Sequence, residues 1–120
     1  GTAHAGQKVE EHTDGSRIVT DTFDDGSKNV TELKVDGSKV VTEYKVDGSK
    51  LVTDYDAGGG KTVTSFDASG QETKMNLDAG GGSTATRTGV DGSKTEIAVG
   101  PDGSKTVTQY GVDGSQMTTV

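Results

Sequence analysis

The fold of this chain is decided by residues 36–46, DGSKVVTEYKV, which begin with a turn signal and continue into a strand signal. The next unit, residues 47–57, repeats the pattern as DGSKLVTDYDA. Glycine keeps this spacing without an insertion at Gly15, Gly26, Gly37, Gly48, Gly59, Gly70, Gly81, Gly92, Gly103 and Gly114. A fixed period indicates a tandem repeat, so the unit has to be explained before any single residue.

Each unit predicts one turn and one strand. Asp-Gly favours a two-residue type I′ hairpin turn, because both central residues of that turn need positive φ. Pro101 predicts a three-residue turn with a glycine bulge in its own unit, since proline presets φ at the first turn position. Between the turns, Val, Thr and Tyr are typical of strands. We therefore predict an all-β antiparallel meander that forms a single open sheet.

The turn type also predicts which residues face each other across neighbouring strands. The expected cross-strand pairs are Tyr44 with Leu51, Thr42 with Thr53, and Lys61 with Asp56. These pairs place an aromatic beside an aliphatic residue and opposite charges together. The alternative is a β-roll with two units per coil, which would stack Lys28 on Lys50 as a like-charge ladder.

The repeat divides the chain into two parts. Residues 1–13 are out of phase; residues 7–12 are interpreted as a degenerate strand, and residues 1–6 as a linker or a cloning remnant. Residues 14–120 form the array, whose last unit begins at Asp113 and is three residues short. A truncated unit suggests a piece of a longer array; the alternative is an edge strand that ends there.

Composition limits the classes of function. Only 28% of the 120 residues are hydrophobic and there is no Trp, so a conventional closed core is not expected. The net charge of −7 argues against nucleic acid as a partner. No long apolar run is present, so membrane insertion is not expected. The chain has no cysteine, which excludes disulfides.

Candidate ligand sites all fall on repeated positions. Calcium is possible at the turn carboxylates Asp36, Asp47, Asp91, Asp102 and Asp113. An ion with six to eight oxygen ligands would need several turns to converge, whereas turn propensity alone also explains these residues. No other cofactor is predicted.

Two surfaces are candidates for larger partners. Tyr44, Tyr55 and Phe66 are predicted to form a face for a partner peptide. An ice-binding row is a less favoured interpretation of Thr20, Thr31, Thr42, Thr53, Thr64, Thr86, Thr108 and Thr119. A uniform repeat offers no singular catalytic set, so we do not expect an enzyme.

Two families are similar to parts of the repeat. Residues 55–63 (YDAGGGKTV) and 66–73 (FDASGQET) resemble the tyrosine-aspartate repeats of bacterial cell-surface and toxin-delivery proteins, although those repeats have nearly twice this period and an Arg-Leu that is missing here. Residues 36–44 and 101–103 resemble the glycine-box domain of centriole-assembly scaffolds, a free-standing antiparallel sheet that binds a partner peptide. Both resemblances imply a sheet, and they imply different functions.

The sequence thus predicts a non-enzymatic structural module of a secreted or surface-attached bacterial protein. Such a module would serve as a stalk, fibre or adhesin segment that self-associates through its strand edges. The alternative is a β-sheet scaffold that binds a peptide or another protein.

Overall fold

The computed structural model describes residues 3–120, which form one sheet of eleven strands. The strands are β1 (His4–Glu11), β2 (Arg17–Phe23), β3 (Lys28–Leu33), β4 (Lys39–Tyr44), β5 (Lys50–Tyr55), β6 (Lys61–Phe66), β7 (Glu72–Leu77), β8 (Ser83–Thr88), β9 (Lys94–Val99), β10 (Lys105–Tyr110) and β11 (Gln116–Thr119). Their spatial order is their chain order, and all neighbours pair antiparallel. The predicted open meander is confirmed, and the β-roll alternative is wrong.

The out-of-phase beginning of the chain belongs to the same sheet. β1 pairs with β2 over its length, with a shift of register between His4 and Gly6. The segment interpreted as a degenerate strand therefore lies within a longer strand. Gly1 and Thr2 lie outside the described residues, so the interpretation of residues 1–6 as a linker falls partly beyond them.

All ten turns have one geometry, and it differs from the predicted type I′ turn. In the turn after β4, the Gly48 N–H donates to the Lys45 carbonyl (3.2 Å), and the Lys45 N–H donates to the Ser49 carbonyl (3.0 Å). The same two hydrogen bonds recur in every unit. The ten turn glycines have φ between 86° and 98°, and among residues 3–120 no other residue type has positive φ. This is a type I turn followed by a glycine bulge, which was predicted for the Pro101 unit alone.

The turn geometry sets a register that corrects the predicted pairs. Tyr44 faces Lys50, and Thr42 faces Val52. Lys61 faces Tyr55. The bulged turn contains one more residue than the assumed turn, and a shift of one residue moves a strand's side chains to the opposite face. Because each unit is offset in this way, a given position of the repeat alternates between the two faces from strand to strand.

The sheet is a single layer without a hydrophobic core. Within residues 3–120 no hydrophobic side chain is buried, and the one buried polar residue is Thr53, which is 8% exposed. The sheet measures 48 × 32 × 28 Å. Since one layer is only about 10 Å thick, the third dimension reflects the accumulated twist of the strands. Ladder hydrogen bonds and half-buried rows of side chains therefore stabilise this sheet.

Candidate functional site

The turn carboxylates are engaged within their own turns. The Asp47 Oδ1 atom accepts hydrogen bonds from the Ser49 N–H (2.9 Å) and the Ser49 hydroxyl (2.5 Å). The same arrangement joins Asp36 to Ser38. The serine hydroxyl first, and then the serine N–H, lower the pKa of both aspartates. These carboxylates thus stabilise the turn in their charged form.

The five candidate calcium ligands are divided between the two turn edges of the sheet, which are the sides where the strands end and the turns lie. Because successive turns alternate edges, Asp36 and Asp102 lie on one edge, whereas Asp47, Asp91 and Asp113 lie on the other. Turns on the same edge are about 9.6 Å apart when they are two strands apart. Across residues 3–120 there is no group of three or more His, Asp or Glu side chains that could hold a metal ion. Calcium binding stays a prediction.

The two faces of the sheet can be defined by their central rows of side chains, since facing residues of antiparallel strands project to the same side. The front face carries the row Val9, Val19, Thr31, Val41, Thr53, Val63, Met75, Ala85, Ile97, Val107 and Thr119. The back face carries Lys8, Thr20, Val30, Thr42, Val52, Thr64, Lys74, Thr86, Glu96, Thr108 and Thr118.

The threonines expected in one row are divided between these faces. Thr31, Thr53 and Thr119 lie on the front face, and the other five lie on the back face. On the back face Thr42 alternates with Val30 and Val52. The continuous threonine row is therefore wrong, and its five back-face members, which lie on alternate strands, stand about 9.6 Å apart. Ice binding stays a prediction, but the continuous threonine row on which it was based does not exist.

The three aromatic residues predicted to bind a partner are also divided. Tyr44 and Phe66 lie on the back face, on either side of Lys50, whereas Tyr55 lies on the front face. Tyr44 is 39% exposed. The expectation that all three aromatic residues share one face is therefore wrong. Only Tyr44 and Phe66 lie on the same face.

Each of these rings lies beneath a lysine of the facing strand, which the predicted register missed. The Lys28 Nζ atom is 4.9 Å from the centre of the Tyr44 ring, and the Lys50 Nζ atom is 4.9 Å from that of Phe66. On the front face the Lys39 Nζ atom is 4.8 Å from the Tyr55 ring centre. Such cation–π contacts are short enough to be favourable. The sequence signal was an aromatic residue at the end of β4, β5 and β6 and a lysine at the start of β3, β4 and β5.

The front and back faces differ most between β6 and β10. β7 places Lys74 on the back face and Met75 on the front face, and β9 does the same with Glu96 and Ile97. The corresponding residues of most other units are Val and Thr. Beside the small side chain of Ala85 lies a shallow groove of about 320 Å³, which Ile97, Thr73 and Arg87 help to line. Composition had given no reason to distinguish the two faces.

The described part of the chain contains no helix, and hence no apolar helix that could cross a bilayer. No family model matches this chain, and a search of curated proteins finds no relative.

Proposed function

We propose that this chain is a non-enzymatic structural module of a secreted or surface-attached bacterial protein, serving as a stalk, fibre or adhesin segment. The observation that carries the proposal is the repetition of one strand-turn unit in a single open sheet without a buried core. Such an array supplies length and edges, because each strand contacts only its neighbours. The resemblance of residues 55–63 to tyrosine-aspartate repeats supports a bacterial cell surface.

Self-association through the β11 edge is part of this proposal. β11 is short and, over Gln116–Thr119, carries no charged side chain. The Gly111 N–H donates to the Ser115 carbonyl, so the alternation of an antiparallel ladder points the Thr118 N–H away from β10. An outward N–H on an uncharged edge can pair with another strand.

The test is a concentration series of the purified chain, observed by negative-stain electron microscopy and light scattering. We expect concentration-dependent association that Thr118→Pro weakens, because proline removes an outward N–H and leaves the β10 ladder intact. Thr118→Val is the matched control, since it keeps the N–H. Filaments would favour a fibre, and pairs would favour a stalk that associates at one end. Wild-type monomers at every concentration would contradict the self-association.

A peptide-binding scaffold is the second candidate. Tyr44 and Phe66 share the back face with Lys50 between them, which offers two rings and a cation to an extended peptide. Saturable binding of a defined peptide by a monomer, lost in Tyr44→Ala and kept in Tyr55→Ala, would favour this function over the structural one.

A further inference from the structure

We propose that the front face between β6 and β10 binds an extended peptide segment that is acidic and rich in apolar residues. This surface is distinct from the edge that the structural proposal uses and from the back-face aromatic residues. In a perfect array the two faces would be equivalent, because each position of the unit alternates sides. This equivalence fails between β6 and β10.

Two strands carry paired departures from the repeat. In β7 and β9 the position that usually holds Val holds Lys74 and Glu96, and the next position, usually Thr, holds Met75 and Ile97. Both charged residues project to the back face and both large apolar residues to the front. Four substitutions thus have one combined effect, which makes one face of this segment more apolar and the other more charged.

The resulting apolar surface is continuous over five strands. Its central row consists of Val63, Met75, Ala85, Ile97 and Val107, and Leu77 and Val99 extend it on the side next to one turn edge. None of these side chains is buried, and Met75 is 42% exposed. The row is about 19 Å long at the usual strand spacing. Contiguous apolar surface of this kind marks interaction sites in soluble proteins.

A groove beside the centre of the row can accept a side chain. It has a volume of about 320 Å³ and is lined by Thr73, Ala85, Thr86, Arg87, Thr95 and Ile97. The groove exists because Ala85 stands where the equivalent position of several units holds Val. An apolar side chain placed there would contact Ile97 beside the Arg87 guanidinium.

The charges around this surface select an acidic partner. Lys61, Arg87 and Lys105 project from β6, β8 and β10 to the front face, and those five strands place no Asp or Glu there. Within residues 3–120 none of these three cations forms an ion pair, although Arg87 donates to the Gln71 Oε1 atom (3.2 Å). A second copy stacked on this face would bring the same three cations together. An acidic peptide is complementary instead.

The geometry also limits the length and pattern of the partner. A row of about 19 Å matches about six extended residues. Alternation places the apolar side chains on the row and points the intervening carboxylates away from the sheet, where the long side chains of Lys61, Arg87 and Lys105 beside the peptide can reach them. The probe is therefore a fluorescein-labelled peptide of alternating Glu and Leu, about seven residues long.

The experiment measures fluorescence anisotropy of this probe with the full chain. We expect saturable binding that weakens as salt is added, and no binding of a Lys-Leu peptide of equal length. Met75→Thr combined with Ile97→Thr should weaken binding at least about tenfold, because it removes buried apolar contact. The matched control is Lys74→Thr with Glu96→Thr, which changes the same two strands on the back face and should leave binding unchanged.

A second variant protects the test against a folding defect. Ala85→Leu fills the groove and keeps the surface apolar, and it should also weaken binding of the Glu-Leu probe. The proposal is overturned by an absence of saturable binding, by equal binding of the Lys-Leu peptide, or by unchanged binding in the folded Met75→Thr, Ile97→Thr variant. A wild-type dimer that this double variant converts to monomer would identify a second copy as the occupant, and would overturn it as well.

Discussion

Among single residues, nine of the ten turns within residues 3–120 combine a glycine at positive φ with one carboxylate that accepts turn N–H groups, the exception being the turn at Gly81. Asp47, which directly precedes the turn glycine, accepts hydrogen bonds from the N–H and the hydroxyl of Ser49. Where the turn begins with Asp56, that carboxylate accepts from the Gly58 N–H (3.0 Å) and the Gly60 N–H (2.8 Å). The carboxylate can thus stand directly before the turn glycine or at the first residue of the turn. In both positions it accepts hydrogen bonds from N–H groups of the same turn.

Replacement of Gly48 by alanine tests the contribution of backbone conformation at this scale. Gly48 has φ 88°, and a Cβ atom added there would meet nothing within 4 Å. Gly48→Ala should therefore lower the free energy of unfolding by about 1–2 kcal/mol, because alanine is strained at this φ. Urea denaturation measures the difference. Gly58→Ala is the control, since Gly58 lies in a turn without positive φ and its added Cβ would stand 3.5 Å from Asp56. Equal destabilisation by both substitutions would contradict the expectation.

The turn aspartates also predict how stability depends on pH. Hydrogen bonds lower the pKa of Asp47 in the folded chain, chiefly from the Ser49 hydroxyl. A lowered pKa stabilises the fold above the unfolded-state pKa, near 4, and this contribution is lost as the pH falls through the folded-state pKa. Ser49→Ala should raise the pKa of Asp47 towards its ordinary value, as measured by carbon NMR of the carboxyl group. Ser65→Ala, which lies within β6 and outside the turns, should leave that pKa unchanged.

At the scale of strands and turns, the sequence predicted where each element lies but not how neighbouring strands align. The Asp-Gly spacing located the turns, and the Val and Thr columns located the strands. The register could not be predicted, because Asp-Gly is compatible with both a two-residue turn and a bulged turn. The observed register differs from the predicted one by one residue. It therefore places Thr42 and Thr53 on opposite faces, and likewise Tyr44 and Tyr55. It also concealed the lysine–ring contacts and the difference between the two faces.

The observed register places Lys50 opposite Phe66, so this pair should stabilise the pairing of β5 with β6. The Lys50 Nζ atom lies 4.9 Å from the ring centre. A double-mutant cycle with Lys50→Gln and Phe66→Leu should give a coupling free energy of about 0.5–1 kcal/mol, which thermal or urea unfolding can measure. Lys28 pairs with Tyr44 instead, so the cycle of Lys28→Gln with Phe66→Leu should be additive. Equal coupling in both cycles would show that general charge effects, and not the contact, cause it.

In the sheet of residues 3–120 taken as a whole, the odd number of strands restricts how copies of this chain can join. β1 and β11 run in the same direction, since eleven antiparallel strands separate the two edges by an even number of reversals. Antiparallel addition with the same face upward therefore joins like edges, β11 to β11 or β1 to β1. β1 is the less adhesive edge, because it has a register shift near His4 and carries Lys8 and Glu10.

One adhesive edge limits assembly to pairs, whereas two adhesive edges permit long chains of copies. Wild-type association should therefore stop at pairs joined through β11, and Lys8→Val combined with Glu10→Thr should produce longer particles at the same concentration. Particle length in negative-stain images measures the difference. Lys74→Val with Glu96→Thr is the control, because it makes similar replacements within interior strands that have no free edge. If the β1 variant forms particles no longer than the wild type, its charged residues do not limit assembly, and the register shift near His4 becomes the feature to alter next.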